Sequence, residues 1–511
     1  MAEMEKQEVL LEEAVEEQQE GLRLEELEAL ADEFTLEDLA EFDEGLEFDA
    51  SDLELLKPSY TKKEKLKMIL MNNTVFSIIK WSIAGLGLIG LVFHILASIS
   101  PDISEALSTS VSAAIRNGIT SVSSLLTVSL MEILALVVLV GILAYAGFLI
   151  FKTIKEKEGI KIAGFWVQFG YVLVAVFGFG YLLFSLCYGV TTNRPMLYKS
   201  ELEDYVPNYF TEERLDTAML YYIDQINEVS VKGRENIFFT TAGNSQYAST
   251  GSSLEEIGEA VNHMFDLASE DYGFLKGSDV TVKELMAAPM YTAMGIGSIY
   301  CPITSEVLIN PDYPEVIIPM QVARAIAKQR GITNDHDASF VAFLVCSQYA
   351  DDLGKLTDKY NTNYIKYAAY MDAYLEVSSG VYSMNPNVHL YCASALKESA
   401  KKDVVALVKD LDALYGNTSN LVEFQAASKK TSTDDYKVLA KLLYAEFTRR
   451  VDNGSIGVNT DPDDPVPASK RPSYMYLRYL VSYFSYELED NWYDTVQDVY
   501  EEYNPEPEEN E

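Results

Sequence analysis

Histidine and cysteine are both scarce here, four of each in 511 residues. These are the side chains that most often hold transition metals, so their scarcity narrows the chemistry at once. Cys187, Cys301, Cys346 and Cys392 show no C-x-x-C spacing and make no disulfide framework. They read as packed thiols; a Cys301–Cys346 pair would need the fold to bring the two together. No Gly-x-Ser-x-Gly elbow is present, so the usual serine-hydrolase nucleophile is missing. No Gly-x-x-x-x-Gly-Lys-Ser/Thr loop or dinucleotide fingerprint appears, and Gly178-Phe-Gly180 lies inside an apolar run. The opening residues lack the leading apolar stretch of a secretory signal peptide. Positive charge is short as well: 39 lysines and arginines face 78 acids, a net charge of −39. Nucleic acid would be repelled by such a chain.

Hydrophobic residues, by contrast, make up 48% of the chain, and much of this is gathered in three runs. Residues 75–99, 126–151 and 162–188 are each long enough to cross a bilayer with some tilt. Gly164, Gly170, Gly178 and Gly180 in the third run would let a neighbouring helix approach closely. The runs lack the paired charges of an ion pathway, which argues against transport. Lysines 57, 62, 63, 65 and 67 precede the first span, and lysines 152, 155, 157 and 161 lie between the second and third. Only Arg116 lies between the first and second. The positive-inside rule then puts the amino terminus in the cytoplasm and everything after the third span outside. Between the first two spans, Ile103, Leu107, Val111, Ile115 and Ile119 recur every fourth residue in a serine-rich setting. That spacing predicts an amphipathic helix on the outer surface or on the outer domain.

Five segments follow: an acidic tail (1–56), a basic juxtamembrane segment (57–74), a membrane domain (75–190), an outer domain (195–503) and an acidic end (504–511). The two ends read as disordered, and the first has apolar residues spaced to fold on a cytoplasmic protein partner. The outer domain reads as mainly helical, with helices near 211–229, 253–270, 314–330, 335–352, 360–378, 387–414, 434–452 and 473–503. Strand signals are short, at 235–241 and 305–310, and residues 453–472 read as an exposed loop. The tyrosines at 474, 476, 479, 483 and 486 read as a packing face.

One stretch organises that domain. Residues 314–340 read as a helix opened by Pro314 or Pro319, stopped by Gly331, and followed by a helix capped by Asn334. A helix–glycine–helix corner of this kind is where one class of zinc peptidase keeps His-Glu-x-x-His, two imidazoles one turn apart. Here the positions one turn apart are Arg324 and Lys328, and Ala325 stands where the catalytic base would be. A guanidinium has no lone pair for a metal and alanine takes no proton from water. If the frame of that corner is kept, Arg324 and Lys328 point into the space a zinc ion would occupy, towards Asp337, and one of them is expected to pair with it. The other reading of Asp337 is as the acid of a capping box after Asn334. Glu306, Asp312 and Glu315 could form an acid pair nearby, although such carboxylates are more often solvated or set against a helix dipole.

Several pieces together carry a family resemblance: Ser129-Leu-Met-Glu-Ile-Leu134, Tyr188-Gly-Val-Thr-Thr-Asn-Arg-Pro195, residues 295–306, Gln329-Arg-Gly-Ile332 with Ala338-Ser-Phe340, and Ser473-Tyr474. In their order and spacing the chain resembles an uncharacterised bacterial membrane family, domain of unknown function 3810. The resemblance implies three spans followed by a domain bearing His-Glu-x-x-His. At the ligand positions this chain departs: Arg324, Ala325 and Lys328 replace the motif, and Asp337 and Ser339 stand where a glutamate and an asparagine are implied. The fold expected is three transmembrane helices and a mostly helical, zincin-like extracytoplasmic domain. The function expected is that of an inactive metallopeptidase relative, without cofactor, in a binding or scaffold role at the cell envelope. Its partners would be the lipid bilayer and a protein or envelope ligand outside. The alternative is an active metallohydrolase with a site rebuilt on His336 and Asp337.

Overall fold

Leucine, valine, isoleucine and phenylalanine fill the three apolar runs so densely that the helices there need no amphipathic face. The computed structural model describes residues 74–156, 159–202, 212–232, 238–242, 245–249, 252–384, 386–397 and 472–487, with a few isolated positions. The acidic tail, most of the basic segment, the 434–452 helix, the 453–472 loop up to residue 471 and the acidic end lie outside the described residues. Helix α1 spans Thr74–Ile99, α2 Pro101–Leu107, α3 Ala113–Ser123, α4 Leu130–Lys155 and α5 Gly159–Phe184. Among the described residues, three helical stretches are long and apolar enough to cross a membrane: Trp81–Ile99, Leu130–Lys155 and Lys161–Asn193. The second begins at 130 rather than 126 because Ser129 is extended and its hydroxyl accepts from Glu132 N, capping the helix there.

Helices α1 and α5 cross at glycine. A Cβ on Gly87 would lie 2.8 Å from the Cα of Gly178, and one on Gly90 would lie 2.8 Å from the Cα of Leu182. Ser185 Oγ donates to Gly90 O at 2.6 Å in the same crossing. Gly164, Gly170 and Gly180 face open space instead, so of the four glycines expected to permit packing only Gly178 does so. Helix α4 meets α5 through Tyr145 and Phe169, with ring centroids 5.7 Å apart, and through Lys152 over Phe165. Residues 133–141 of α4 are all exposed, a full two turns and more without a covered face.

Residues 101–123 are helical throughout, with a π-turn at Ser108–Ser112 between α2 and α3. The side facing the protein is the polar one. Ser104, Ser108, Ser112, Arg116, Thr120 and Ser123 are buried, while Ile103, Val111 and Val122 are exposed. Small hydroxyls let this helix approach backbone: Ser104 Oγ donates to Val190 O at 2.5 Å, and Ser112 Oγ donates to Leu186 O. The expected amphipathic helix is present; of its aliphatic stripe Ile103 and Val111 are exposed, and Leu107, Ile115 and Ile119 are half-buried.

The second half is mostly helical. Helix α6 is Glu212–Lys232, followed by the antiparallel pair β1 (Phe238–Ala242) and β2 (Ser245–Ser249) and by α7 (Leu254–Asp271). A three-stranded sheet combines β3 (Val282–Glu284), β4 (Ser298–Cys301) and β5 (Glu306–Ile309), with the short α8 (Ala288–Ala293) between its first two strands. Its order is β3-β5-β4, with β3 parallel and β4 antiparallel to β5. Then come α9 (Ile318–Gln329), α10 (Asp335–Leu356), α11 (Thr362–Met384), α12 (Pro386–Ser394) and α13 (Pro472–Glu487). The helix expected over 387–414 thus breaks at Ser394. Helix α10 is the centre of the core, buried without interruption from Phe340 to Ser347. Phe340 stacks on Tyr479 of α13 at 4.6 Å, and Phe343 meets Tyr483 edge-on at 5.1 Å. These tyrosines are packing residues. All four cysteines are buried and free.

Candidate functional site

Helix α9 is buried on nearly every side, and only Gln321, Arg324 and Lys328 keep partial exposure. Its end is a Schellman motif: Ile332 N donates to Ala327 O at 3.0 Å and Gly331 N to Lys328 O at 3.0 Å. Gly331 supplies the required left-handed backbone, with φ of 102°. Asn334 then caps α10, its Oδ1 accepting from His336 N at 2.9 Å and Asp337 N at 3.3 Å. The corner expected from sequence is formed.

Its side chains pair differently from expectation. Arg324 reaches across to α11, where Nη2 meets Asp372 Oδ2 at 2.6 Å, while Nε donates to Ser339 Oγ at 3.1 Å. Tyr476 OH donates to the same Asp372 oxygen at 2.8 Å, and the guanidinium lies 5.8 Å from its ring centroid. Burial works against charge on Arg324, but the adjoining Asp372 carboxylate outweighs it and raises the pKa above the usual arginine value. Lys328 pairs with the exposed Asp335. Neither cation meets Asp337, so the expected pairing is corrected. Asp337 Oδ1 accepts from Tyr479 OH at 2.8 Å and Oδ2 from Leu197 N at 3.2 Å. The carboxylate serves incoming chain and α13, and it does not act as the acid of a capping box either. Burial pushes its pKa up to about 6 despite those two donors. Burial pushes neighbouring His336 down to about 4, against the pull of Asp335. Ala325 is core.

The other acids named from sequence are structural. Asp312 accepts from Thr292 Oγ1 at 2.9 Å, and Glu315 opens the turn of 3-10 helix before α9. Glu306 has the densest set of partners. Fully buried, it takes Lys283 Nζ at 2.5 Å, Thr304 Oγ1 at 2.7 Å, and the backbone N–H groups of Leu130 and Met131 at 2.8 and 2.7 Å. The last two are orphan donors of the first turn of α4, so a carboxylate of the sheet caps a membrane-length helix and faces its positive dipole end. Glu132 returns the contact, accepting from Met286 N at 2.8 Å and Ala287 N at 2.9 Å. Lys283 Nζ also donates to Ser123 O at 2.8 Å. Alongside, Gln329 Nε2 donates to Thr120 Oγ1, which donates to Ser305 Oγ, at 2.9 and 2.8 Å. Arg116 is buried against the corner: a Cβ on Gly331 would fall 2.5 Å from its Nη2. Arg194 grips Glu105 with two bonds, of 2.6 and 2.7 Å, and donates to Gly331 O at 3.0 Å.

These contacts gather Ser129–Glu132, Arg194, Ser305–Glu306 and Gln329–Gly331, parts of four of the five pieces on which the family resemblance rests. A sequence model of the family described as "Protein of unknown function (DUF3810)" matches residues 107–427. The chain belongs to this family. Comparisons with curated proteins and with solved structures return no match. In this DUF3810 chain several of those pieces meet where the helical domain is fastened to its second apolar helix. Lys283, Arg116 and Asp372 are the partners that sequence reasoning missed. Lys283 sits in a three-residue strand too short to recognise. Asp372 was visible as an acid among the aromatics of Tyr370-Met-Asp-Ala-Tyr374.

A zinc ion does not fit the donors of the corner. Arg324, Ala325 and Lys328 offer it nothing, and Asp337 is already held by two donors. Among the described residues no group of three or more histidine, cysteine, aspartate or glutamate side chains is arranged to hold a metal. Ser378 Oγ and His389 Nε2 lie 2.6 Å apart, and both side chains are fully buried.

Proposed function

We propose that this chain is a non-catalytic membrane protein whose zincin-like domain, outside the membrane, has turned its ligand positions into structural ion pairs. It acts as a binding or scaffold element of the bacterial cell envelope. The observation that carries the reading is Arg324, tied at once to Asp372, Ser339 and the Tyr476 ring. A position that must present a free lone pair to a Lewis acid here holds a permanent cation with its own counter-ion. Lys152 and Lys155 in the last turn of α4 support an orientation with that end, and the amino terminus, in the cytoplasm. The acidic tail then faces cytoplasmic proteins and the helical domain faces envelope ligands.

Metal analysis of the full chain, purified in detergent and dialysed against excess zinc, tests the reading. The expected result is zinc far below one ion per chain, unchanged in Asp337→Ala. One tightly held zinc per chain, lost in Asp337→Ala or His336→Ala, would overturn it in favour of a metallohydrolase rebuilt on those two residues.

A further inference from the structure

Two exposed apolar segments lie at the outer end of the second apolar helix, and neither has a place in the reading above. The first is the end of α3 and the turn after it, where Val122, Leu125 and Val128 are exposed, Leu125 to 81%. The second is the stretch around α8, where Met286, Met290 and Met294 are each more than half exposed. They come from chain segments more than 150 residues apart, yet both are tied to the same place. Met286 N and Ala287 N are held by Glu132, in the first turn of α4. The turn after α3 is held by Thr281, whose N and Oγ1 bond Ser124 at 3.1 and 3.2 Å, and by Lys283 on Ser123 O. Both therefore sit at the level where α4 starts. Below that level, α4 itself is exposed on every side from 133 to 141.

We infer that these segments form an apolar collar round the outer end of α4 and are seated in the outer-leaflet lipid. The occupant is phospholipid because the collar runs directly into the membrane-length surface of α4 and is fixed at its first turn. Residues 101–123 fit this placement. Tethered at both ends to apolar helices, they bury Ser104, Ser108, Ser112, Thr120 and Ser123 against the protein and leave Ile103, Val111 and Val122 exposed, which suits a helix lying in the interface. Methionine, unbranched and polarizable, adapts to the irregular packing of acyl chains. The junction thus does two things: Glu306, Lys283 and Glu132 fix the domain to α4, and the collar sets its height in the bilayer. This inference is independent of whether the corner binds metal.

The test uses the full chain in phosphatidylcholine–phosphatidylglycerol vesicles. A fluorophore is attached through Leu125→Cys, Val128→Cys or Met290→Cys, with exposed Asp358→Cys as the water-facing control. Because the native thiols are buried, labelled wild type supplies the background. Brominated acyl chains should quench the three collar positions about three times more strongly than position 358. Quenching equal to that control at Val128 and Met290 would overturn the inference. So would lipid-insensitive labels at those positions that quench one another between chains, which would assign the collar to a second copy. Three sites on two segments keep the result readable if one variant fails to fold.

Discussion

The corner around Arg324 and the junction around Glu306 both hold charge inside the protein, but they satisfy it in different ways. At the corner each cation has its own partner on a different element, and some water reaches the pairs: Arg324 is 23% exposed and Lys328 30%. At the junction Lys283 and Glu306 are 1% and 0% exposed, and four donors converge on one carboxylate. A buried pair repays its desolvation only when the remaining hydrogen bonds are made, and here backbone N–H groups and Thr304 make them. The junction is the more demanding site.

That contrast is sharpest in Lys283→Met. Removing the ammonium leaves Glu306 buried with its charge unpaired, an expected loss of about 3–5 kcal/mol in unfolding of the full chain in detergent. A loss similar to that of an exposed lysine would erase the distinction. Gly331→Ala comes next, because it forces a side chain into left-handed backbone and against Arg116 Nη2. Roughly 2–3 kcal/mol of destabilisation is expected in the same thermal assay.

The corner's own signature is pH dependence. Asp337 holds its proton to about pH 6 when folded, above the ordinary carboxylate value. Its contribution is therefore complete in acid and lost as pH rises through 6. His336 goes the other way: its folded value of about 4 means stability is present above about 6.5 and lost as pH falls through 4. Between pH 4 and 6 the two oppose each other. His336→Gln should therefore lose stability as pH rises across that window, and Asp337→Asn should gain it, each by on the order of 1–2 kcal/mol. Identical slopes in the two variants would break the assignment. The smallest effect is expected for Lys328→Ala, whose exposed pair with Asp335 contributes less than about 1 kcal/mol.

Much of the corner was legible beforehand because its signals are local. Gly331 and Asn334 act through their own backbone and neighbours within a few residues, so their types fix what they do. Arg324 shows the limit. Its charge and its inability to bind metal could be read from residue type, but its partner lies 48 residues on in another helix. Asp337 was the nearer acid, and it is committed to Leu197 and Tyr479. The amphipathic stripe of 101–123 was also legible, whereas the side it turns to the protein was not. Periodicity gives the two faces of a helix; what each face meets depends on the neighbours.

By itself the sequence determined three membrane-length helices, a mainly helical domain after them, and the lack of metal donors at positions 324, 325 and 328. These follow from hydrophobic run length, helical period and side-chain chemistry, properties carried by each segment alone. Only the tertiary structure decided that Glu306 caps α4, that Lys283 neutralises it, and that Arg116 and Arg194 brace Gly331. Those contacts join residues 23 to more than 170 positions apart, and burial of charge has consequences only once the fold has removed the water around it.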